Sequence, residues 1–360
     1  MRRRKNRRYM AVALVLLLAA VMGALIAGVN GATSARATSA SVSTSSAAAA
    51  TTADDSADLD YEGAEYSAGV VDIALGDAIT VSGKGASVDG TTVTIEAAGV
   101  YYLSGSLDDG QIVIDAKGKV YLEFNGVDVT NSGGPALYVA DAKKVTLTLA
   151  EGTSSSLTDS SAKSECDAAL YTNDTLVING KGSLAVTGNC NEGIAGDDDI
   201  VINAGTLVIK AVDDGINAHD EITITGGNVY IVAGGDGLDS NGGISISGGK
   251  VIALASDIAG DGGLDAVGEV TITGGTVIAA GNSIARPSGD STQVSVYVTT
   301  GATQAARTSV SVVLDGEEIL AFTPDHEYQN LLISSDDLLA GTIYEVYIGA
   351  SDVPISVEAL

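Results

Sequence analysis

DDGINAHDEITITGG, residues 213–227, is followed by GDGLDSNGGISISGG, residues 235–249. An acid, a glycine, an aliphatic residue and Asn or Asp are followed by Ile alternating with Thr or Ser, then two glycines. The whole pattern returns one unit later, with Leu238 in the place of Ile216. Self-similarity at a fixed period bounds the architecture before local propensity does. With the aliphatic residue as origin, the motif recurs at Leu170 (where Asp-Ala-Ala replaces the glycine), Ile194, Ile216, Leu238 and Leu264, at nearly even steps. Six positions after each origin stand Leu176, Ile200, Ile222, Ile244 and Val270, and two further on Ile178, Ile202, Ile224, Ile246 and Ile272. A glycine-containing corner and a second alternating stretch, such as Val229-Tyr230-Ile231, complete each unit.

Alternation with period two, rich in β-branched residues, is a strand signal. Doubled glycines permit a sharp corner between strands. Propeller blades need about 40 residues, and leucine-rich repeats need their Leu/Asn pattern, so neither fits. The pattern predicts an all-β parallel β-helix, a solenoid of about 22 residues per coil. One inward aliphatic residue per coil then stacks on its equivalent ~4.8 Å away. Weaker coils extend upstream through Val145–Leu149, Val120–Phe124 and Ile112–Ile114, where insertions slip the register. Roughly eight to ten turns are expected over residues 66–285. Residues 286–360 read as strands without glycine corners, and are expected to form a C-terminal β-rich cap over the open end; a separate binding module is the other reading.

The first eight residues carry Arg2, Arg3, Arg4, Lys5, Arg7 and Arg8, and an uncharged run follows from Met10 to Val29. That pattern marks residues 1–37 as an export segment; a cleaved signal and an uncleaved membrane anchor both fit it. Residues 38–65 are mostly Ser, Ala, Thr and acids, too poor in large apolar groups to offset chain entropy, and read as a flexible linker. The expected location is therefore extracellular or at the cell surface. Without residues 1–37, 11 basic groups face 46 acidic ones, a net charge of about −35. Such a surface excludes nucleic acid as a charge-driven partner and attracts cations. The expected assembly is a monomer.

With the coils in register the acids form columns. Three before the origin stand Asp167, Asn191, Asp213 and Asp261; two before stand Glu192, Asp214 and Asp236. One after stand Asn217, Asp239 and Asp265; three after stand Asn173, Asp197, His219 and Asn241; four after stand Asp174, Asp198 and Asp220. Stacked like charges destabilise neighbouring strands, so several such columns ask for a counter-ion. Hard oxygen ligands at variable geometry suit Ca²⁺. The candidate ligands are Glu192, Asp197, Asp198, Asp213, Asp214, Asn217, Asp220, Asp236, Asp239, Asp261 and Asp265; a solvated acidic edge is the other reading. The column just after the origin also holds Tyr138 and Tyr171, candidates to stack on sugar rings or merely to cover the coil edge. Cys166 and Cys190 each lie four before an origin, side by side on neighbouring coils. A disulfide and a pair of buried thiols are both compatible with that register.

The stretches DAALYTNDTLVINGKGSLAVTGN (167–189), EGIAGDDDIVINAGTLVI (192–209) and FTPDHEYQNLLISSDDL (322–338), with the motif at 213–227, carry a family resemblance. The chain resembles the secreted carbohydrate-binding β-helix proteins of cellulose-degrading clostridia over roughly residues 70–350. The resemblance implies a right-handed parallel β-helix with bound Ca²⁺, affinity for plant polysaccharides such as polygalacturonate and cellulose, and a shape like the family 9 pectate lyases. A lyase is therefore the rival to a non-catalytic binder, and it needs a Lys or Arg base beside the calcium. Lys210, three positions before Asp213, is the candidate; Lys250, Arg286 and Arg307 fall elsewhere on the coil or past the repeat. A structural or adhesive β-helix, with calcium only as a staple, is the third reading.

Overall fold

A computed structural model describes residues 70–160 and 167–360. The export and linker segments, residues 1–65, and Cys166 lie outside these residues, so the expectations placed on them, the disulfide included, lie outside too. No described helix is long and apolar enough to cross a membrane.

The described chain winds as a parallel β-helix with three strand ladders. Leu170, Ile194, Ile216, Leu238 and Leu264 pair rung on rung, in the register of the repeat. They belong to a first face of eight parallel strands: Thr92–Ile95, Gln111–Asp115, Leu137–Asp141, Ala168–Thr172, Glu192–Gly196, Ile216–Ala218, Leu238–Ser240 and Leu264–Ala266. The second face carries Leu176, Ile200, Ile222, Ile244 and Val270 in one row. The third runs from Ser154–Asp159 to Thr276–Gly281. Eight rungs on the first face make about seven turns. The shortfall from eight to ten lies upstream, where coils lengthen instead of multiplying. The paired rungs Val93, Ile112, Leu137 and Leu170 stand progressively further apart along the chain. Lys119–Asn131 is one 13-residue strand that serves two faces.

The core is a narrow stack of aliphatic side chains, with Leu170, Ile194, Ile216, Leu238 and Leu264 all 0% exposed. Its width explains the glycine of the acid–Gly–aliphatic motif. A Cβ on Gly215 would overlap the Ile231 side chain and stand 2.6 Å from the Gly237 carbonyl oxygen of the next coil. Corner glycines have a different reason: Gly205, Gly227, Gly249 and Gly275 all take positive φ, between 78° and 101°, a region open to glycine without strain.

Past Gly281 the ladder reverses direction. Tyr328–Ser334 pairs antiparallel with the last third-face strand and with Ser295–Gln304, and Leu332 enters the helix core. Glu317–Phe322, Val310–Leu314, Ile343–Ile348 and Ile355–Glu358 form a separate four-stranded antiparallel sheet. Tyr230, on the third face, donates its hydroxyl to Asp325 at 2.7 Å and so ties this region to the coils.

Candidate functional site

Inward residues of the first face alternate with outward ones, and pairing sets the outward row as Tyr138, Tyr171, Ala195, Asn217, Asp239 and Asp265. The tyrosines and three of the acidic-edge residues thus share one column. Corners before and after the downstream first-face strands carry the remaining acids, so they divide between two edges.

At the corner before the strands, carboxylate oxygens of Asp214, Asp236 and Asp239 all lie within 4.8 Å of one another. Asn217 bridges two of them, its Nδ2 donating to Asp214 Oδ2 at 3.1 Å and to Asp239 Oδ2 at 2.7 Å. The backbone N–H of Asp236 donates to Asp214 Oδ1 at 2.7 Å, and that of Gly262 donates to Asp236 Oδ1. A Cβ on Gly235 would overlap carboxylate oxygens of Asp213 and Asp214, so this glycine leaves the space those groups occupy. Glu192 stands one coil upstream; its Oε1 accepts Asn191 Nδ2 at 2.9 Å, and its Oε2 is buried with no hydrogen-bond partner among the described residues.

Burial pushes the carboxyls of Glu192 and Asp236 up to about 7 and that of Asp239 to about 6, and the neighbouring acids add to each rise. Asp213 is raised for the same two reasons. Among the described residues, the charged groups that raise these four are all acids. The arrangement suits a hard cation. It gathers three converging carboxylates, with the buried Glu192 Oε2 one coil upstream, and like charges so close stay ionised only beside a positive charge. Asp261 lies at this edge but accepts from Ser256 Oγ, and exposed Asp265 closes the row beyond Asp239.

The corner after the strands holds a second group, Asp198, Asp199 and Asp220, whose oxygens also lie within 4.8 Å. Thr175 Oγ1 donates to Asp198 Oδ2 at 2.9 Å, the Glu221 N–H donates to Asp199 Oδ1 at 3.1 Å, and exposed His219 stands 3.3 Å from Asp220. The sequence reading named Asp198 and Asp220 but missed Asp199; the unbroken run Asp197-Asp198-Asp199 was its signal. Asp197 turns elsewhere: its Oδ1 accepts the Tyr171 hydroxyl at 3.0 Å. Asp174 accepts from the Ala142 N–H at 2.7 Å.

Tyr138 and Tyr171 stack with ring centroids 5.8 Å apart and planes 26° apart. Burial, then the bond to Asp197, pushes the Tyr171 phenol up to about 12. The basic residues weighed as a lyase base stand as follows. Lys210 is exposed on the third face between Thr187 and Val232, and Lys250 pairs with Asn228 and Thr276. Arg286 lies 4.2 Å over the Tyr297 ring, and Arg307 stands 3.4 Å from Asp325.

Residues 89–325, the span that contains the whole first face, match the family described as carbohydrate-binding domain-containing protein. The chain belongs to this family. A carbohydrate-binding domain-containing protein of Acetivibrio thermocellus is 35% identical over 137 residues, 35% of this chain and 48% of that protein. The chain thus spans about half the length of the curated relative it matches. A solved structure titled as a polysaccharide lyase-like protein from C. thermocellum, gadolinium derivative, aligns at 28% identity and a TM-score of 0.45, covering 58% of this chain and 92% of that one.

Proposed function

We propose that the protein is an extracellular, calcium-binding, non-catalytic carbohydrate-binding protein whose first face takes plant-type polysaccharide such as polygalacturonate or cellulose. The observation that carries this reading is the single outward column in which stacked Tyr138 and Tyr171 lead to Asn217, Asp239 and the acid cluster. Asp214, Asp236 and Asp239 would hold one Ca²⁺, with Glu192 beside them, and Asp198, Asp199 and Asp220 a second. The ion neutralises the clustered acids and presents positive charge to a uronate carboxylate, which the bare edge would repel. The tyrosine faces supply the apolar platform for pyranose rings, a role for which the chain has no Trp. Family membership supports the polysaccharide partner; the export-type N-terminal segment and the acidic charge support a place outside the cell.

Affinity electrophoresis in polygalacturonate gels tests this. Retardation is expected with Ca²⁺, with a loss in chelator and a loss in the Asp214→Asn/Asp236→Asn variant. Retardation of equal size in excess chelator would place recognition elsewhere. Release of absorbing, unsaturated uronides from polygalacturonate would replace the binder with a lyase.

A further inference from the structure

Upstream of the acid cluster the first face carries a groove of ≈ 640 Å³ that neither calcium nor the acid columns explain. One wall is the segment 131–135, and three side chains pin it. The Asp109 carboxylate accepts from the Ser132 N–H at 2.8 Å and from the Ser132 hydroxyl at 2.9 Å. Gln111 Nε2 and Asn131 Nδ2 both donate to the Pro135 carbonyl, at 2.9 and 2.7 Å. Asn131 Oδ1 accepts the Gly133 N–H at 2.8 Å, which closes the turn on itself. The stacked rings of Tyr138 and Tyr171 form the other side, with Tyr171 held by its bond to Asp197. Both walls are therefore ordered before any ligand arrives, which lowers the ordering cost of binding.

The chemistry of the lining selects among ligands. Among the described residues that line the groove the charged ones are Asp109 and Asp167, both acids. A uronate carboxylate entering here would meet two like charges. A neutral sugar would instead offer hydroxyl donors to carboxylate, amide and threonine oxygens, and its ring faces to the tyrosines. We infer that this groove is a subsite for a neutral glycan segment, a run of uncharged hexopyranoses bound without a cation. This rests on the carbohydrate-binding reading and divides the face in two. Tyr171 and Asp239 are three rungs apart in one column, ~14 Å at ~4.8 Å per rung. A neutral stretch and a calcium-bridged acidic stretch would thus lie end to end.

Affinity electrophoresis of the chain in gels containing hydroxyethylcellulose or polygalacturonate, each with Ca²⁺ and with EDTA, separates the two halves. Hydroxyethylcellulose should retard the protein equally in both buffers, and Tyr138→Ala/Tyr171→Ala should weaken that retardation about tenfold. Asp109→Ala, which releases Ser132 and leaves the inward rungs intact, should weaken it about threefold and leave calcium-dependent retardation by polygalacturonate unchanged. Hydroxyethylcellulose retardation that vanishes in EDTA, or that survives both variants, overturns the inference. If hydroxyethylcellulose never retards the protein while polygalacturonate does so in Ca²⁺, the groove proposal falls and the calcium-bridged reading stands. If neither glycan retards it in Ca²⁺, that reading falls as well.

Discussion

The tyrosine end and the acid end of the first face are built on the same inward row and differ only one residue away. Inward, Val93, Ile112, Leu137, Leu170, Ile194, Ile216, Leu238 and Leu264 are all 0% exposed. Outward, the neighbouring row changes from Tyr138 and Tyr171 through Ala195 to Asn217, Asp239 and Asp265. Stacking of rungs fixes the chemical kind of the first row, because each side chain must fill the same narrow section as its neighbours. Nothing in that requirement touches the second row. A solenoid can therefore change its surface chemistry along one face, from aromatic to acidic, while its core repeats.

The largest effect expected from this contrast is Ile216→Ala, which empties a fully buried rung and should cost about 2–5 kcal/mol, read as a lower denaturant midpoint. Tyr171→Ala, two coils upstream but outward, should move the midpoint far less. Equal losses at the two positions would break the distinction between the rows.

Next comes calcium. Saturating Ca²⁺ at about 100 times its Kd should stabilise the fold by about 2.7 kcal/mol. Asp214→Asn/Asp236→Asn should remove most of that gain, and in chelator it should melt above the parent, because it deletes like charges that repel one another. The two melting curves should therefore change order between chelator and Ca²⁺. A variant that melts below the parent in both buffers would mean that these carboxylates are structural hydrogen-bond acceptors and not a cation cage.

A smaller effect should appear with pH. Glu192 and Asp236 have folded values near 7 and Asp239 near 6, above the usual carboxylate range, so the folded state binds more protons than the unfolded one between about 4.5 and 7. Their contribution to stability is then present at the low end of that window and is lost as pH rises through it. In chelator, the parent minus the Asp214→Asn/Asp236→Asn variant should show stability falling from pH 4.5 to 7; bound Ca²⁺ should flatten the difference. A difference that rises with pH in chelator contradicts the assigned crowding of acids.

How much of this was legible in advance follows the same division of rows. The aliphatic rungs, the corner glycines and the shared column of Tyr138 with Asp239 could be counted from the repeat, because a parallel ladder turns sequence spacing into position. The split of the acids between two corners could not, since strand length within a coil, here only three residues at Ile216–Ala218, decides on which side of the face a column falls. Asp199 shares a column with Glu221 and Glu269, interrupted by Gly243, and its place beside Asp198 and Asp220 depends on how the corner after Gly196 turns. The groove was invisible for a different reason. Its wall depends on Asp109 meeting Ser132 across coils of unequal length, where no fixed period converts spacing into register.

The finest test of the contrast is Tyr171→Phe, which keeps the ring in the stack and deletes only its hydroxyl. That hydroxyl donates to exposed Asp197 at 3.0 Å, at the surface, where a single hydrogen bond contributes no more than about 0.5–1.5 kcal/mol. If the tyrosines act as a platform, the Phe variant should retain most of the glycan affinity that the Ala variant loses, with a small fall in stability. Spectroscopic titration gives an independent reading, since the phenol pushed up to about 12 should vanish from the high-pH end of the tyrosine absorbance curve. Freed Asp197 would then be available to the neighbouring Asp198, Asp199 and Asp220 group, so calcium affinity at that corner should rise or hold, not fall. If Phe instead loses as much glycan binding as Ala, the hydroxyl itself contacts the sugar. The aromatic end would then read its ligand through polar contacts, as proposed for the acid end, and the contrast between the two ends would narrow to one of charge.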